Sequence, residues 1–391
     1  MPLSCQKHLF ALDPTVHYLN CGAYAPALNR SVEKGMEGLR LKAETPFRIS
    51  AAHHFDTGDR IRAQFSELIG AGDPLRIALI PAASHGMAAV AANLHRLPGL
   101  HLKKNIVLIG EDFPNNVYAF ERVCATHSLS VITVAKPDTD SGRGAEWNRR
   151  LLEAVTPETA LVVAAQVHWI YGTVFDLVAL GERCREAGAL LAVDATQSIG
   201  AMAFDVQAIQ PDAVVCAAYK WLLGPYGTGA AYFGPFFDEG VPVEEGWMNR
   251  AESDQFTKLT GYQRAYRPKA QRYNAGEYSQ FGQLPMLEAA LEQLLEWSPV
   301  AVQDYCRQLS KSWIPRWEAL GIRLEAPAHR ASHLFGLQLP ATVDRDALVR
   351  LLAEKRIYAS PRGAVLRVSP NVFNDDADLA ALTAVLEEQL R

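Results

Sequence analysis

Short apolar runs alternate along the chain with stretches whose apolar residues recur at helical spacing. The runs at 76–80, 105–109, 130–134, 160–166, 189–194, 213–217 and 229–233 each predict a strand. Several, such as IVLI and AVVCA, are apolar throughout rather than at alternate positions, which is the pattern of a sheet covered by helices on both faces. Between them, residues 86–94, 147–154 and 177–187 carry the period of amphipathic helices, near the length that a right-handed crossover needs. The predicted class is α/β, with a mainly parallel sheet flanked by helices. After about residue 265 the texture changes. Turn-rich sequence over 266–282 leads into long helical patterns at 284–296 and 302–320, then into shorter strand-like runs at 336–339 and 365–368. Helices grouped before a few strands predict a second, smaller α+β unit.

Composition narrows the class without pointing to a reaction. The 391 residues are 49% hydrophobic and 21% charged, enough apolar material for a sizeable core and far from the profile of a disordered chain. A formal net charge of -5 gives no electrostatic reason to expect nucleic acid as a partner. No stretch of about 18 apolar residues occurs, and MPLSCQKHLFALDPTVHYLN lacks a basic segment followed by an apolar one. No membrane partner is therefore expected, and the expected location is cytoplasmic. The cysteines at 5, 21, 124, 184, 216 and 306 form no CxxC pair and have no histidine nearby at metal-ligand spacing. They are expected to be buried thiols of a reducing compartment, and no metal site is expected.

In an open parallel sheet a ligand lies outside the carboxyl ends of the strands, so polar residues just after apolar runs are the first candidates. One run ends in Asp194, within LLAVDATQSIG, and another leads to Lys220, within AAYKWLLGPYGTG. An acid and a lysine at two strand ends are the two charges that an aromatic aldehyde cofactor needs. The lysine can form an imine, and the acid can hold a ring nitrogen protonated. Taken singly, Asp194 also fits a helix cap and Lys220 a snorkelling surface side chain.

In their context, VDATQSIG and DAVVCAAYKWLLGPYGTGAAY resemble the class V branch of the fold type I pyridoxal-phosphate enzymes, which includes aminotransferases, cysteine desulfurases, kynureninases and isopenicillin N epimerase-like proteins. The resemblance runs from about Tyr18 to Asn374. It implies pyridoxal 5'-phosphate as cofactor, an amino acid as substrate, and a homodimer with the site near the interface. It also implies a large cofactor domain over 16–265 and a small domain over 266–391 joined by 1–15.

Residue by residue, the resemblance makes Lys220 the Schiff-base lysine and proton shuttle, and Asp194 the partner of the pyridinium nitrogen. Gln197 becomes the donor to the cofactor's phenolic oxygen. The strand, turn and helix of RIALIPAASHGMAAV place Ala83, Ser84 and His85 at the cofactor phosphate, where helix-start N–H groups favour an anion. Tyr219 resembles the tyrosine that some members use on the phosphate. Phe113, in EDFPNNVYAF, resembles the residue that stacks on the pyridine ring, and Asn116 resembles a polar group facing the cofactor. In AAQVHWIYGTVFDL, Trp169 stands where desulfurases carry an asparagine, which leaves His168 and Trp169 as candidates for the substrate pocket. RYNAGEYSQFG resembles the segment that reaches a neighbouring subunit's phosphate through Arg272 and Gly276. Here Glu277 replaces a threonine, and a carboxylate beside a phosphate repels it, so Glu277 is given no such role. Arg367, in AVLRVSPNVFN, resembles the arginine that grips the substrate α-carboxylate, a task suited to a bidentate guanidinium.

The reaction is read from an absence. Desulfurases attack with a cysteine a little before the carboxylate arginine, and RIYASPRGAVLR contains none. Ser360 and Arg362 in that loop are placed either to meet a polar substrate side chain or as loop surface. An aminotransferase is the favoured assignment by family frequency, with a lyase of selenocysteine-lyase or kynureninase type, or an epimerase, as the alternatives. Two readings lie outside the class. Ala82–Gly86 is one residue away from the nucleophile elbow of serine hydrolases, with Ser84 as nucleophile and Asp194 and His333 in the required order. A non-catalytic cofactor-binding module is the other.

Overall fold

A computed structural model describes residues 2–139 and 142–390. The first strand, β1 (His17–Tyr18), precedes two long helices, α1 (Asn29–Glu44) and α2 (Ala51–Leu68). The predicted βα alternation comes next: β2 (Ile77–Ile80), α3 (Ala83–Asn93), β3 (Asn105–Ile109), α4 (Asn115–His127), β4 (Ser130–Val134), α5 (Arg143–Ala154), β5 (Thr159–Ala165), α6 (Leu177–Ala187), β6 (Leu190–Asp194), the short α7 (Val206–Ile209), β7 (Ala213–Ala217) and β8 (Gly229–Phe233). Seven of these strands form one sheet in the order β2-β8-β7-β6-β5-β3-β4. β8 is antiparallel to both its neighbours, and every other pairing in the sheet is parallel. The reason is local. No helix intervenes between β7 and β8, so the chain turns back through residues 218–228 instead of crossing over.

The apolar runs are explained by this layering. Along β3, Val107 and Ile109 join one core while Ile106 and Leu108 join another; along β5, Val162 and Ala164 oppose Leu161 and Val163. Each strand therefore buries both faces. β4, at the sheet edge, is the exception, with Ser130, Thr133 and Ile132 exposed.

Beyond the sheet, α8 (Gln283–Trp297) packs on α1 and α2. Then come α9 (Pro299–Ser310), α10 (Ile314–Ala319), β9 (Phe335–Gln338), α11 (Arg345–Glu354), β10 (Ile357–Tyr358), β11 (Ser360–Arg362), β12 (Val365–Val368) and α12 (Asp376–Leu390). The continuous helix expected over 302–320 is broken, because Pro315 cannot continue a helix and instead opens α10. β9, β11 and β12 form an antiparallel sheet whose own core includes Trp317, Phe335, Leu337, Leu366 and Leu382. β1 pairs in parallel with β10, so residues 17–18 hydrogen-bond to the C-terminal part of the chain.

Candidate active site

The strands β2, β3, β5, β6 and β7 run in one direction, so their carboxyl ends open on the same edge of the sheet. β8 runs the other way and brings its amino end there. A cavity of about 350 Å³ lies on that edge, lined by Ser84 after β2, Phe113 after β3, Trp169 after β5, Asp194 at the end of β6, Lys220 after β7 and Tyr226 before β8. This is where an open α/β sheet binds its ligand.

Lys220 is buried at the cavity wall, with Nζ 5.5 Å from the centroids of both the Phe113 and the Tyr219 rings. Burial pulls its pKa down to about 8, against the opposing pull of Asp194. Asp194 is held in place by its own turn, accepting from the Thr196 N–H at 3.0 Å. It also accepts from Asn116 Nδ2 at 3.1 Å, and the same nitrogen donates to Asp112 at 3.1 Å. Asn116 is thus clamped between two carboxylates, and its own buried oxygen has no partner among the described residues. Asp112 lines the cavity too, accepting from the Phe113 N–H at 2.7 Å. Desolvation and the nearby Asp194 push its pKa up to about 7. Sequence reasoning passed over Asp112. The available signal was its position directly before Phe113, at the carboxyl end of a strand.

Gln197 lines the cavity with a fixed amide. The Trp221 indole N–H can only donate, so it takes the amide oxygen at 2.9 Å, and Nε2 turns to the Gly22 carbonyl at 3.0 Å with one N–H left over. Ala83 and Ser84 also line the cavity, at the start of α3, where no side chain caps the helix. His85 does not reach the wall. Its ring lies 3.5 Å from the Glu244 carboxylate and its backbone N–H is bonded to Ala82, which takes it out of the expected phosphate set. Tyr219 is on the wall, packed against Tyr226 at 4.7 Å and Tyr24 at 5.4 Å.

The two substrate-pocket candidates part company. Trp169 lines the cavity and meets Phe113 edge to face at 5.5 Å. His168 alternates to the other side of the chain, fully buried between Trp147 and Tyr171, with both ring nitrogens near backbone groups of Gly110 and Ile170. Burial lowers its pKa to about 3, so it is a packing residue and not a pocket residue. Arg367 lies behind Trp169 rather than on the wall, donating to the Trp169 carbonyl at 3.0 Å and to Asn20 at 3.3 Å, with Nε unpartnered. Burial, aided by Arg362, brings its pKa down to about 10.

Arg272 is directed to the Gly240 carbonyl and the Tyr266 ring, and Glu277 is exposed. One thiol does come near the arginine in space. Cys21 bonds to Asn371 and affects Arg367, a proximity that the sequence spacing hid. It is fully buried, and burial raises its pKa to about 12, which is the environment of a structural thiol. The hydrolase triad does not assemble. His333 faces the Gln197 carbonyl and the Gln303 amide, and neither Ser84 nor Asp194 is among its partners. No group of three or more candidate metal ligands occurs among the described residues.

The fold is that of the fold type I pyridoxal-phosphate enzymes, and the family match makes this chain one of them. The sequence model of the family Aminotransferase class-V matches residues 26–365, and the chain belongs to that family. It is 27% identical over 323 residues to an uncharacterized aminotransferase, YcbU, of Bacillus subtilis, covering 81% of this chain and 80% of that one. It is 25% identical over 409 residues to the isopenicillin N epimerase of Streptomyces clavuligerus, covering 96% and 95%. The crystal structure of the cysteine desulfurase CsdA from Escherichia coli superposes with a TM-score of 0.81 at 20% identity, over 98% of this chain and 97% of that one. No helix among the described residues is long and apolar enough to cross a membrane.

Proposed function

We propose that the protein is an amino-acid aminotransferase that acts through Lys220. The observation that carries this reading is the convergence of Lys220, Phe113 and Asp194 on one cavity that has no thiol on its wall. The cavity residues fit the cofactor. Asp194 would hold a ring nitrogen, Phe113 would cover a ring face, the spare Gln197 N–H would serve a phenolic oxygen, and the uncapped start of α3 with Ser84 and Tyr219 would hold a phosphate. When bound, the cofactor supplies an electron sink for the substrate's α-carbon.

The chain's own part is to place and move protons. Lys220, with a pKa near 8, can hold or release one close to neutral pH. Tyr219 is pushed up to about 12 by burial and keeps its proton. A single lysine that removes a proton at one carbon and returns it at the next is the requirement of amino transfer, whereas epimerisation needs a proton delivered from the opposite face. Arg367 is held just behind the cavity wall by the Trp169 carbonyl, and it serves as the anchor for the α-carboxylate once its guanidinium turns into the cavity. A persulfide-forming desulfurase is disfavoured by the buried, protonated state of Cys21.

The test is a panel of amino acids labelled with a heavy nitrogen isotope, each offered with a keto-acid acceptor. Transfer of the label to the acceptor without free ammonia is expected. Ammonia release without an acceptor would make the enzyme a lyase, and formation of the D-isomer alone would make it an epimerase. A second part of the reading is a homodimer. It is supported by the exposed apolar side chains Val32, Met36 and Leu39 on one face of α1, with Tyr24 and Tyr226 beside the cavity.

A further inference from the structure

Past Trp169 lies a second recess of about 350 Å³, walled by Lys136, Tyr171, Gln338, Arg362 and Val365 together with Glu111. The Arg362 guanidinium lies over the ring of Trp169, a residue that lines the cofactor cavity, 5.5 Å from its centroid. Its Nη1 donates to the neighbouring Pro361 carbonyl at 2.8 Å, and its buried Nε has no partner among the described residues. Lys136 rests over the Tyr171 ring at 5.2 Å. Glu111, the acid on this wall, accepts from the Tyr171 hydroxyl at 2.5 Å. Arg362 is near enough to lower the proton affinity of both Lys220 and Arg367, so the three cations share one electrostatic neighbourhood.

The β11–β12 hairpin sets the spacing of the two arginines. Ser360 pairs with Arg367 and Arg362 with Val365. Residues opposite each other, and those two apart on a strand, share a face, so Arg362 and Arg367 are diagonal neighbours on the same face. Such positions are separated by about 7–8 Å at the backbone. Each arginine presents a planar fork of the kind that suits a carboxylate, and the Nε of each has no partner among the described residues.

We propose that this recess seats a second carboxylate of the substrate, so that the enzyme acts on a dicarboxylic amino acid whose α-carboxylate meets Arg367 and whose distal carboxylate meets Arg362 and Lys136. The proposal rests on the reading of Lys220 as the reacting lysine and of Arg367 as the α-carboxylate anchor. It is tested by calorimetric titration of the holoenzyme with glutarate, and with pentanoate, which has the same chain length and one carboxylate. Glutarate is expected to bind about tenfold or more tightly than pentanoate, the gain of one charge-assisted contact. Arg362→Gln is expected to remove that preference, and Arg362→Lys to keep part of it. Lys136→Gln, a change outside the hairpin, is expected to weaken glutarate alone, which covers the case of a misfolded Arg362 variant. Equal binding of the two acids by the wild type, or a glutarate preference that survives both Arg362→Gln and Lys136→Gln, overturns the proposal. The underlying reading is checked separately, by borohydride reduction and peptide mapping of the cofactor linkage to Lys220. Loss of that linkage would sink the reading of the site, whereas the binding heats test the recess by themselves.

Discussion

Lys220 is a cation taken out of water, and its ionisation couples to the stability of the fold. Its pKa falls from 10.5 in the unfolded chain to about 8 in the fold, a burden of about 3 kcal/mol on the charged form. Below pH 8 the side chain is charged in both states and the full burden applies. As pH rises from about 8 to 10.5 the folded form is already neutral while the unfolded form still binds a proton, so stability increases with pH. Lys220→Met in cofactor-stripped protein is therefore expected to melt a few degrees higher than wild type at about pH 7, with the difference gone by about pH 11. Thermal melts across pH check this, and a wild-type advantage at neutral pH would contradict it. Lys220 and Asp194 were legible in the sequence because each comes after an apolar run at a strand end. Asp112 was not, because its raised proton affinity arises from burial and from Asp194, which only the folded sheet brings beside it.

The element that positions the proposed phosphate site is α3, and it lies directly on β7. A Cβ added at Gly86 would come within 2.4 Å of Val215 Cγ1 and 3.3 Å of Ile80 Cδ1. Gly86→Ala is thus expected to lift α3 from the sheet, to cost about 1–3 kcal/mol of stability and to weaken cofactor binding. The denaturation midpoint and the cofactor dissociation constant read the two effects, and an unchanged affinity would separate α3 from the phosphate site. Strands were the legible elements, since burial on both faces writes a continuous apolar run. The two- and three-residue strands β10 and β11 left no such trace, although β11 carries Arg362.

At the scale of the whole molecule, the apolar face of α1 is the surface on which the proposed homodimer rests. Val32, Met36 and Leu39 are between 46% and 57% exposed, spaced as one helical stripe, and the Tyr24–Tyr219–Tyr226 cluster continues toward the cavity mouth. Replacing Met36 and Leu39 together with glutamate is expected to convert a dimer into monomers in sedimentation and to lower activity along with assembly. A wild type that sediments as a monomer would remove the dimer from the proposed function.

Local pattern in the chain was enough for the βα alternation, for the two-sided layering that apolar strands require, and for an acid and a lysine at strand ends. Packing between distant segments settled the rest, and no local pattern records it. It put His168 in the core and Trp169 on the wall, although they are adjacent in the chain, because a half-turn of backbone sends consecutive side chains to opposite sides. It withdrew His85 to Glu244, brought Cys21 beside Arg367 yet sealed it from solvent, and set Arg362 over the ring of Trp169. Periodicity reports whether a side chain is buried, but which groups meet there depends on how the strands are ordered in the sheet.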